Sequence, residues 1–99
     1  MTIRFTDEAF RDLEAIVDHV KVHYPAAAPA LHARLGAVLA RIDRWPASAR
    51  RVDGHPDIHV VPLGRHPYKV FYRVTETAVE ILHIHHAAQK PWPAEDEQA

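Results

Sequence analysis

Residues 67–75, with the sequence PYKVFYRVT, give the clearest secondary-structure signal in the chain. Every second side chain is apolar or aromatic and falls on one face of an extended segment: Tyr68, Val70, Tyr72 and Val74. The opposite face carries Lys69, Phe71 and Arg73. Alternation with a period of two predicts a β-strand with two different faces. The rest of the chain must therefore supply neighbouring strands and a layer that covers the apolar face.

Three further segments predict strands around this one: residues 2–5, 57–63 and 79–86. Pro62 favours an edge position or a strand end for the second of them, since proline cannot donate to a ladder. The segment 47–56 before it is predicted to be a loop, with turn chemistry at Asp53-Gly54. Because the later connections are short, we expect an antiparallel meander.

Two amphipathic helices are predicted between the first strand and the sheet. Thr6 is expected to cap the first helix, which Pro25 ends. Its apolar stripe has spacings of three and four: Phe10, Leu13, Ile16, Val17, Val20 and Tyr24. The second helix begins near Pro29 and ends at Pro46. Its stripe is similar: Leu31, Leu35, Val38, Leu39, Ile42 and Trp45. The short linker predicts a helical hairpin.

The predicted order is β-α-α-β-β-β. The fold class is α+β, with the helical hairpin packed on one face of a small antiparallel sheet. We expect one domain over residues 1–92 and a polar, flexible tail over 93–99. The second sheet face is expected to be open. An exposed Phe71 between Lys69 and Arg73 would then indicate that a partner covers it.

Composition excludes several classes of protein. The chain has 99 residues, no cysteine and a formal net charge of −1, so disulfide and thiolate chemistry are absent. The sequence contains neither a membrane-length apolar run nor a signal-like start, and we expect a cytoplasmic protein. Charge is uneven: residues 25–73 carry a net +5 between acidic ends. This pattern predicts a positive surface patch rather than a general polyanion binder.

Histidine is the most over-represented residue type, with nine in the chain. His83 and His85 share one strand face, so a metal pair is geometrically possible. No further ligand with suitable spacing accompanies them, and we predict neither metal nor cofactor. Hydrogen-bonded or solvent-facing histidines are the alternative. A nucleophile elbow, a phosphate loop and a carboxylate pair are absent from the sequence, so no catalytic residue is predicted.

The order of these motifs resembles the ParE/RelE superfamily of toxins from toxin–antitoxin systems. Residues 5–9 (FTDEA) resemble the start of the family's first helix, and Trp45-Pro46 resembles the end of its second. Residues 67–74 and 79–88 resemble its proline–tyrosine strand and its closing strand with histidine before small residues. The resemblance covers about residues 2–92. It implies the same α+β fold and a small toxin, which a cognate ParD-like antitoxin neutralises by folding onto it.

The two branches of this superfamily differ in their target. RelE-like members cut mRNA on the ribosome and resemble one another in a basic set of lysines and arginines, often with a C-terminal tyrosine. Here the strand at 58–62 (IHVVP) lacks lysine, Lys69 follows the tyrosine, and Gln89 stands where arginine is usual. The resemblance therefore implies a ParE-like inhibitor that binds DNA gyrase. Direct nucleic-acid binding is not expected without the antitoxin.

Two alternatives remain open at this point. One is a RelE-like endoribonuclease in which Lys69 and Arg73 stabilise phosphate charge and His86 or His59 acts as base. The other is a degenerate, non-toxic member, which Gln89 motivates. Trp92, between two prolines, is expected either to fold back on the sheet or to anchor a partner. The predicted functional surface comprises Arg65, Lys69, Phe71, Arg73, His86, Gln89 and Trp92.

Overall fold

The computed structural model describes residues 2–87. Strand β1 (Thr2–Phe5) leads into helix α1 (Asp7–His23), and a 3-10 turn (Pro25–Ala27) connects it to helix α2 (Ala28–Arg44). Four strands follow: β2 (Arg50–Val52), β3 (His55–Leu63), β4 (His66–Val74) and β5 (Ala78–His86). Two helices on one sheet confirm the predicted α+β fold. Within the described residues, neither helix has the length and apolar character that crossing a bilayer requires.

The sheet has the order β1-β5-β4-β3-β2 and is mixed rather than antiparallel. The meander from β3 to β5 is antiparallel, as predicted. Strand β1, however, pairs in parallel with the first half of β5, from Thr2 opposite Ala78 to Phe5 opposite Ile81. The chain between β1 and β5, which comprises both helices and strands β2–β4, is the long connection that a parallel pair requires. The segment 50–52, predicted as loop, pairs with β3 as a short outer strand.

Local signals explain where helix α1 begins. The Thr6 side chain accepts a hydrogen bond from the Ala9 N–H at 3.2 Å, which confirms the predicted cap. Its hydroxyl also lies 3.0 Å from the carbonyl oxygen of Ile81 in β5. The same residue therefore starts the helix and fastens that start to the closing strand. This contact determines how α1 approaches the β5 edge.

Each face of the sheet carries its own core. The larger cluster lies between the helices and the sheet and contains Ala9, Val20, Leu31, Val38, Ile42, Leu63, Val70, Tyr72, Val79, Ile81 and Ile84. The smaller cluster lies on the opposite face and contains Val52, Ile58, Val60 and Phe71, with Leu82 packed against it. The second face of the sheet is therefore partly covered by this chain itself, which the sequence did not predict.

Candidate functional site

Phe71 does not belong to an exposed binding surface. Its side chain is 1% exposed and packs with Val52, Ile58 and Val60. The prediction of an exposed aromatic between two cations is therefore wrong. The hairpin of β2 and β3 supplies the apolar side chains that cover it. Burying a phenylalanine in this way stabilises the fold by about 1.5–3 kcal/mol.

Arg73 has an acidic neighbour across the sheet. Its Nη2 lies 2.7 Å and its Nε 3.2 Å from Oε1 of Glu80, which faces it from β5. The strand pairing places the two side chains opposite each other. The row of cations predicted along β4 is thus partly neutralised at Arg73. Lys69, its counterpart on the same face, lies opposite His85.

The remaining predicted surface residues are scattered. Arg65 is exposed in the two-residue turn between β3 and β4. His86 is exposed at the end of β5, where its ring lies edge-on to Tyr68 at 5.6 Å between centroids. Gln89 and Trp92, and the tail over 93–99, lie outside the described residues. Among the described residues, the members of the predicted set therefore do not form one exposed patch.

A groove with a basic lining lies at the edge of β3. Strand β2 pairs with β3 only as far as Val60, so Val61 and Pro62 lie beyond it. Helix α2 and residues 48–50 border this stretch and enclose a groove of about 570 Å³. Four cationic side chains line it: Arg34, Arg41, Arg50 and Lys69. Apolar and aromatic residues complete the lining, chiefly Val38, Ile42, Val60, Val61 and Tyr72. Within the described residues the lining includes no carboxylate. We call this the arginine groove.

Two contacts shape the arginine groove. Gly64, at φ +64°, lies so close to the Arg34 guanidinium that a β-carbon at this position would come within 2.8 Å of Arg34 Nε. The Tyr72 hydroxyl donates a 2.6 Å hydrogen bond to the Pro46 carbonyl. Burial raises the pKa of the Tyr72 phenol, although the Ala49 backbone and the positive charge of Arg41 oppose that rise. Tyr72 therefore links the sheet to the chain that follows α2.

His59 is a structural histidine. It is 5% exposed, its ring stacks on Tyr72 at 5.0 Å, and its Nδ1–H donates to the Ala49 carbonyl at 3.0 Å. A base must reach the proton that it removes. The stacked, buried ring of His59 cannot approach an external substrate, which removes one of the two bases considered for a nuclease.

The opposite end of the sheet carries a different cluster. Strand β1 pairs with β5 only as far as Ile81, and beyond that point Asp12 of α1 lies against the strand edge. Oδ2 of Asp12 accepts the Ile84 N–H at 3.0 Å. The same oxygen lies 3.3 Å from His83 Nδ1 and 3.9 Å from His85 Nε2. An acidic side chain thus joins the two histidines for which the sequence showed no partner.

A third region is apolar. Helices α1 and α2 are splayed, and a groove of about 480 Å³ lies between them. Its lining is almost entirely apolar: Leu13, Ile16, Val17, Val20, Ala28, Pro29, Leu31, Leu35, Leu63 and Ile84, with Lys21 and His32. We call this the interhelical groove. It is a concave surface of the kind that receives the apolar face of a peptide helix.

Sequence reasoning missed the residues that this geometry brings together. Arg34 and Arg41 are seven positions apart on α2 and so share a helix face, a signal that was available but unused. Asp12 carried no local signal, because its partners are more than 70 positions away in the sequence. The predicted sites were strand residues, whereas the observed clusters combine a helix with a strand edge.

Comparison with known proteins is consistent with this architecture. The family model described as the ParE toxin of type II toxin–antitoxin systems, parDE, matches residues 3–91. "Putative toxin Y4kP" of Sinorhizobium fredii (strain NBRC 101917 / NGR234) is 33% identical over 93 residues, which are 92% of each chain. The chromosomal ParDE system of P. aeruginosa contains a chain of 26% identity and TM-score 0.73, with 87% of this chain and 95% of that chain covered.

RelE toxins share the fold at lower sequence identity. The isolated E. coli RelE toxin gives a TM-score of 0.61 at 16% identity, with 98% of this chain and 95% of that chain covered. A RelE mutant in complex with an antitoxin RelBc peptide gives 0.64 at 17% identity, with 99% and 93% covered. At these identities the likeness concerns the fold alone.

Proposed function

Because the chain belongs to the ParE toxin family of type II toxin–antitoxin systems, we propose that it inhibits DNA gyrase by binding it. We further propose that a cognate antitoxin blocks this activity. The observation that carries the proposal is the arginine groove, a concave surface with four cations over an apolar and aromatic lining. Such a surface suits an acidic partner segment, since opposite charge steers association and desolvated contacts hold it.

The arrangement of the nuclease candidates favours binding over catalysis. In the described part of the chain, Arg73 is paired with Glu80 and His59 is buried beneath the loop after α2. Of the residues considered for a nuclease, Lys69 and His86 remain, and Lys69 lines the arginine groove whereas His86 does not. The surface that we propose keeps Arg65 and Lys69 and adds Arg34, Arg41 and Arg50. His86, Gln89 and Trp92 stay predictions.

The test of this function uses the purified full-length protein and gyrase on relaxed plasmid DNA. We expect inhibition of supercoiling, and we expect Arg34→Glu combined with Arg41→Glu to reduce potency about tenfold or more. Arg11→Glu is the matched control, because Arg11 is exposed on α1 and does not line the groove. Equal potency of the double variant and the control would contradict the groove assignment.

Two parallel assays separate the alternatives. Pulse-labelling after induction in bacterial cells should show that DNA synthesis falls before protein synthesis. A ribosome-bound mRNA should stay intact with the purified protein. Early failure of protein synthesis with cut mRNA would instead establish the endoribonuclease. Growth that continues normally, with active gyrase, would identify a non-toxic member.

The interhelical groove is the surface that we propose for the antitoxin. Its apolar lining fits an amphipathic helix, and the charge reversals above leave it intact. The protein encoded beside this toxin should co-purify with it on co-expression. Val17→Asp should weaken that complex about tenfold or more, because it places a charge in the apolar lining. Val22→Asp on the same helix is the control, since Val22 is 73% exposed and lies outside the lining. Equal loss in both variants would contradict this location.

A further inference from the structure

We propose that Asp12, His83 and His85 form a binding site for one Zn²⁺ ion. The three residues offer one carboxylate oxygen and two imidazole nitrogens, a donor set that first-row transition metals such as zinc favour. Their ligand atoms all lie within 4.8 Å of one another. The site lies at the β5 edge, on the opposite side of the sheet order from the arginine groove.

The spacing of the donor atoms fits tetrahedral coordination. Zn²⁺ binds nitrogen and oxygen at about 2.0–2.1 Å, which places neighbouring ligand atoms of a tetrahedron about 3.3 Å apart. His83 Nδ1 and Asp12 Oδ2 already lie at 3.3 Å, and His85 Nε2 lies 3.9 Å from the same oxygen. The two imidazole nitrogens lie within 4.8 Å of each other. Reaching tetrahedral spacing therefore requires the two rings to approach each other by up to about 1.5 Å, which side-chain rotation supplies.

The surroundings of the three side chains hold them in place. The Ile84 N–H donates to Oδ2 of Asp12, which fixes the carboxylate against the strand. The ring of His85 meets Phe71 edge-on at 5.6 Å, and the His83 and His85 rings are 4.8 Å apart. Strand β5 carries one extra residue, Leu82, opposite the Phe71–Tyr72 step. Such a bulge redirects side chains at a strand edge. Contacts of this kind orient metal ligands before the ion arrives.

The site is sheltered but open on one side. The side chains of Asp12, His83 and His85 are 28%, 19% and 14% exposed. A hollow of about 260 Å³ beside them is lined by Asp12, His85, His19 and His86, among others. His19 lies two turns after Asp12 on the same side of α1. A fourth ligand can therefore come from water or from a neighbouring imidazole. An ion held here would fasten α1 to β5 beyond the end of β1.

Closing the uncovered edge of β5 does not by itself explain why Asp12, His83 and His85 lie together. The Ile84 N–H at the uncovered edge requires one acceptor, and the carboxylate of Asp12 provides it. Two histidines at the same oxygen are not needed for that purpose. They are the residue type whose neutral ring nitrogen most often binds metals. The sequence pattern His83-x-His85 supplied the pair, and the fold adds the acidic third ligand.

The test measures Zn²⁺ binding to the full-length chain prepared without a polyhistidine tag. Calorimetric titration with ZnCl₂ should show one saturable site per chain, and Mg²⁺ should not compete, since it prefers an all-oxygen octahedron. Co²⁺ should give the visible absorption of a tetrahedral complex. At about 100 times the dissociation constant, Zn²⁺ should raise the Tm by roughly 10–20 °C.

Variants locate the ion. His83→Gln, His85→Gln and Asp12→Asn should each weaken Zn²⁺ binding at least tenfold. Asp12→Asn retains an oxygen for the Ile84 N–H, so it removes the charge while keeping the edge contact. His23→Gln is the critical control, because His19 and His23 are exposed, four apart on α1 and 4.5 Å between ring centroids. They form a rival helical pair.

Unchanged binding in His23→Gln together with loss in the three ligand variants would establish the site. Loss in His23→Gln, with the ligand variants binding as the wild type does, would overturn it in favour of the helical pair. Binding that never saturates, or that is equal in every variant, would show adventitious contact with surface histidines and would equally overturn it. None of these outcomes depends on gyrase or on the antitoxin.

Discussion

Each end of the sheet leaves part of a strand edge without a neighbouring strand, and the two uncovered edges differ in what lies against them. The outer strands are short, β1 with four residues and β2 with three, so each leaves part of its neighbour uncovered. At the β5 end, Asp12 accepts the Ile84 N–H that no strand reaches. At the β3 end, Pro62 stands in the uncovered stretch and has no N–H to offer.

The uncovered edge of β5 is therefore a closed edge, and the uncovered edge of β3 is an open edge. An uncovered strand edge is a template for pairing with other chains unless a polar side chain, a charge or a proline interrupts it. At β5, the helix itself occupies the edge through a carboxylate. At β3, the proline interrupts the ladder and the helix stands away from the strand, which leaves the arginine groove. The first edge is closed within the chain, whereas the second is the one where we propose that a partner binds.

The largest effect on stability is expected at the closed edge. Asp12→Ala removes the acceptor of the partly buried Ile84 N–H and should lower the free energy of unfolding by about 1–3 kcal/mol. Urea denaturation in the absence of metal ions measures this change. Asp12→Asn, which keeps an accepting oxygen, should stay close to the wild type. If both variants lose equally, the negative charge and not the hydrogen bond closes the edge.

Tyr72 tests the connection between the sheet and the open edge. Tyr72→Phe removes the hydrogen bond to the Pro46 carbonyl and should cost about 1 kcal/mol at neutral pH. Burial raises the pKa of this phenol in the folded state above the value of 10.0 that it has in the unfolded chain. The contribution of the protonated phenol to the free energy of unfolding is therefore fully present below pH 10.0, and it is lost as the pH rises through the higher folded pKa.

Urea denaturation from pH 8 to alkaline conditions should therefore show a flatter profile for Tyr72→Phe than for the wild type. Tyr24→Phe is the control, since the Tyr24 side chain is 62% exposed. An alkaline profile that Tyr24→Phe flattens and Tyr72→Phe does not would contradict this assignment.

Local patterns in the sequence predicted both helices, every strand but β2, and one face of the sheet. Thr6 begins α1 as expected, and the side chains of Val70 and Tyr72 are buried on the helix-covered face. These features depend on residues close together in the chain. The parallel pairing of β1 with β5 was missed, because spacing along the chain does not reveal which strand becomes its neighbour.

The candidate sites depended on contacts that local patterns do not contain. Phe71 was predicted to be exposed because alternation places it away from the helices, and the pairing of β2, β3 and β4 brings Val52 and Ile58 against it. The turn chemistry at Asp53-Gly54 led to the prediction of a loop over residues 47–56, which include β2. Asp12 meets His83 across 71 positions of sequence. Alternation identifies a face, whereas the three-dimensional course of the chain determines what covers it.

Pro62 provides a smaller test of the open edge. Pro62→Ala restores an N–H to the uncovered stretch of β3. It also gives the unfolded chain more conformational freedom, because the proline ring no longer restricts it. We expect a loss of about 0.4–1 kcal/mol and increased self-association by edge pairing. Light scattering coupled to size-exclusion chromatography measures the association. Pro29→Ala, in the first turn of α2, controls for the removal of a proline. A strictly monomeric Pro62→Ala would show that the groove cations already prevent pairing.

The smallest effect is expected between the two ends of the sheet, on the exposed side of β4 and β5. The ion pair of Arg73 and Glu80 is exposed to solvent, so a double-mutant cycle with Arg73→Ala and Glu80→Gln should give a coupling of about 0.2–1 kcal/mol. Because Glu80 engages Arg73, Arg73→Ala should reduce gyrase inhibition less than Lys69→Ala does. Supercoiling assays with both variants measure the difference. A larger loss of gyrase inhibition for Arg73→Ala than for Lys69→Ala would place the binding surface at the centre of the sheet and not at the β3 edge. In that case Arg73, although paired with Glu80, would contribute more to binding than Lys69, which lines the groove.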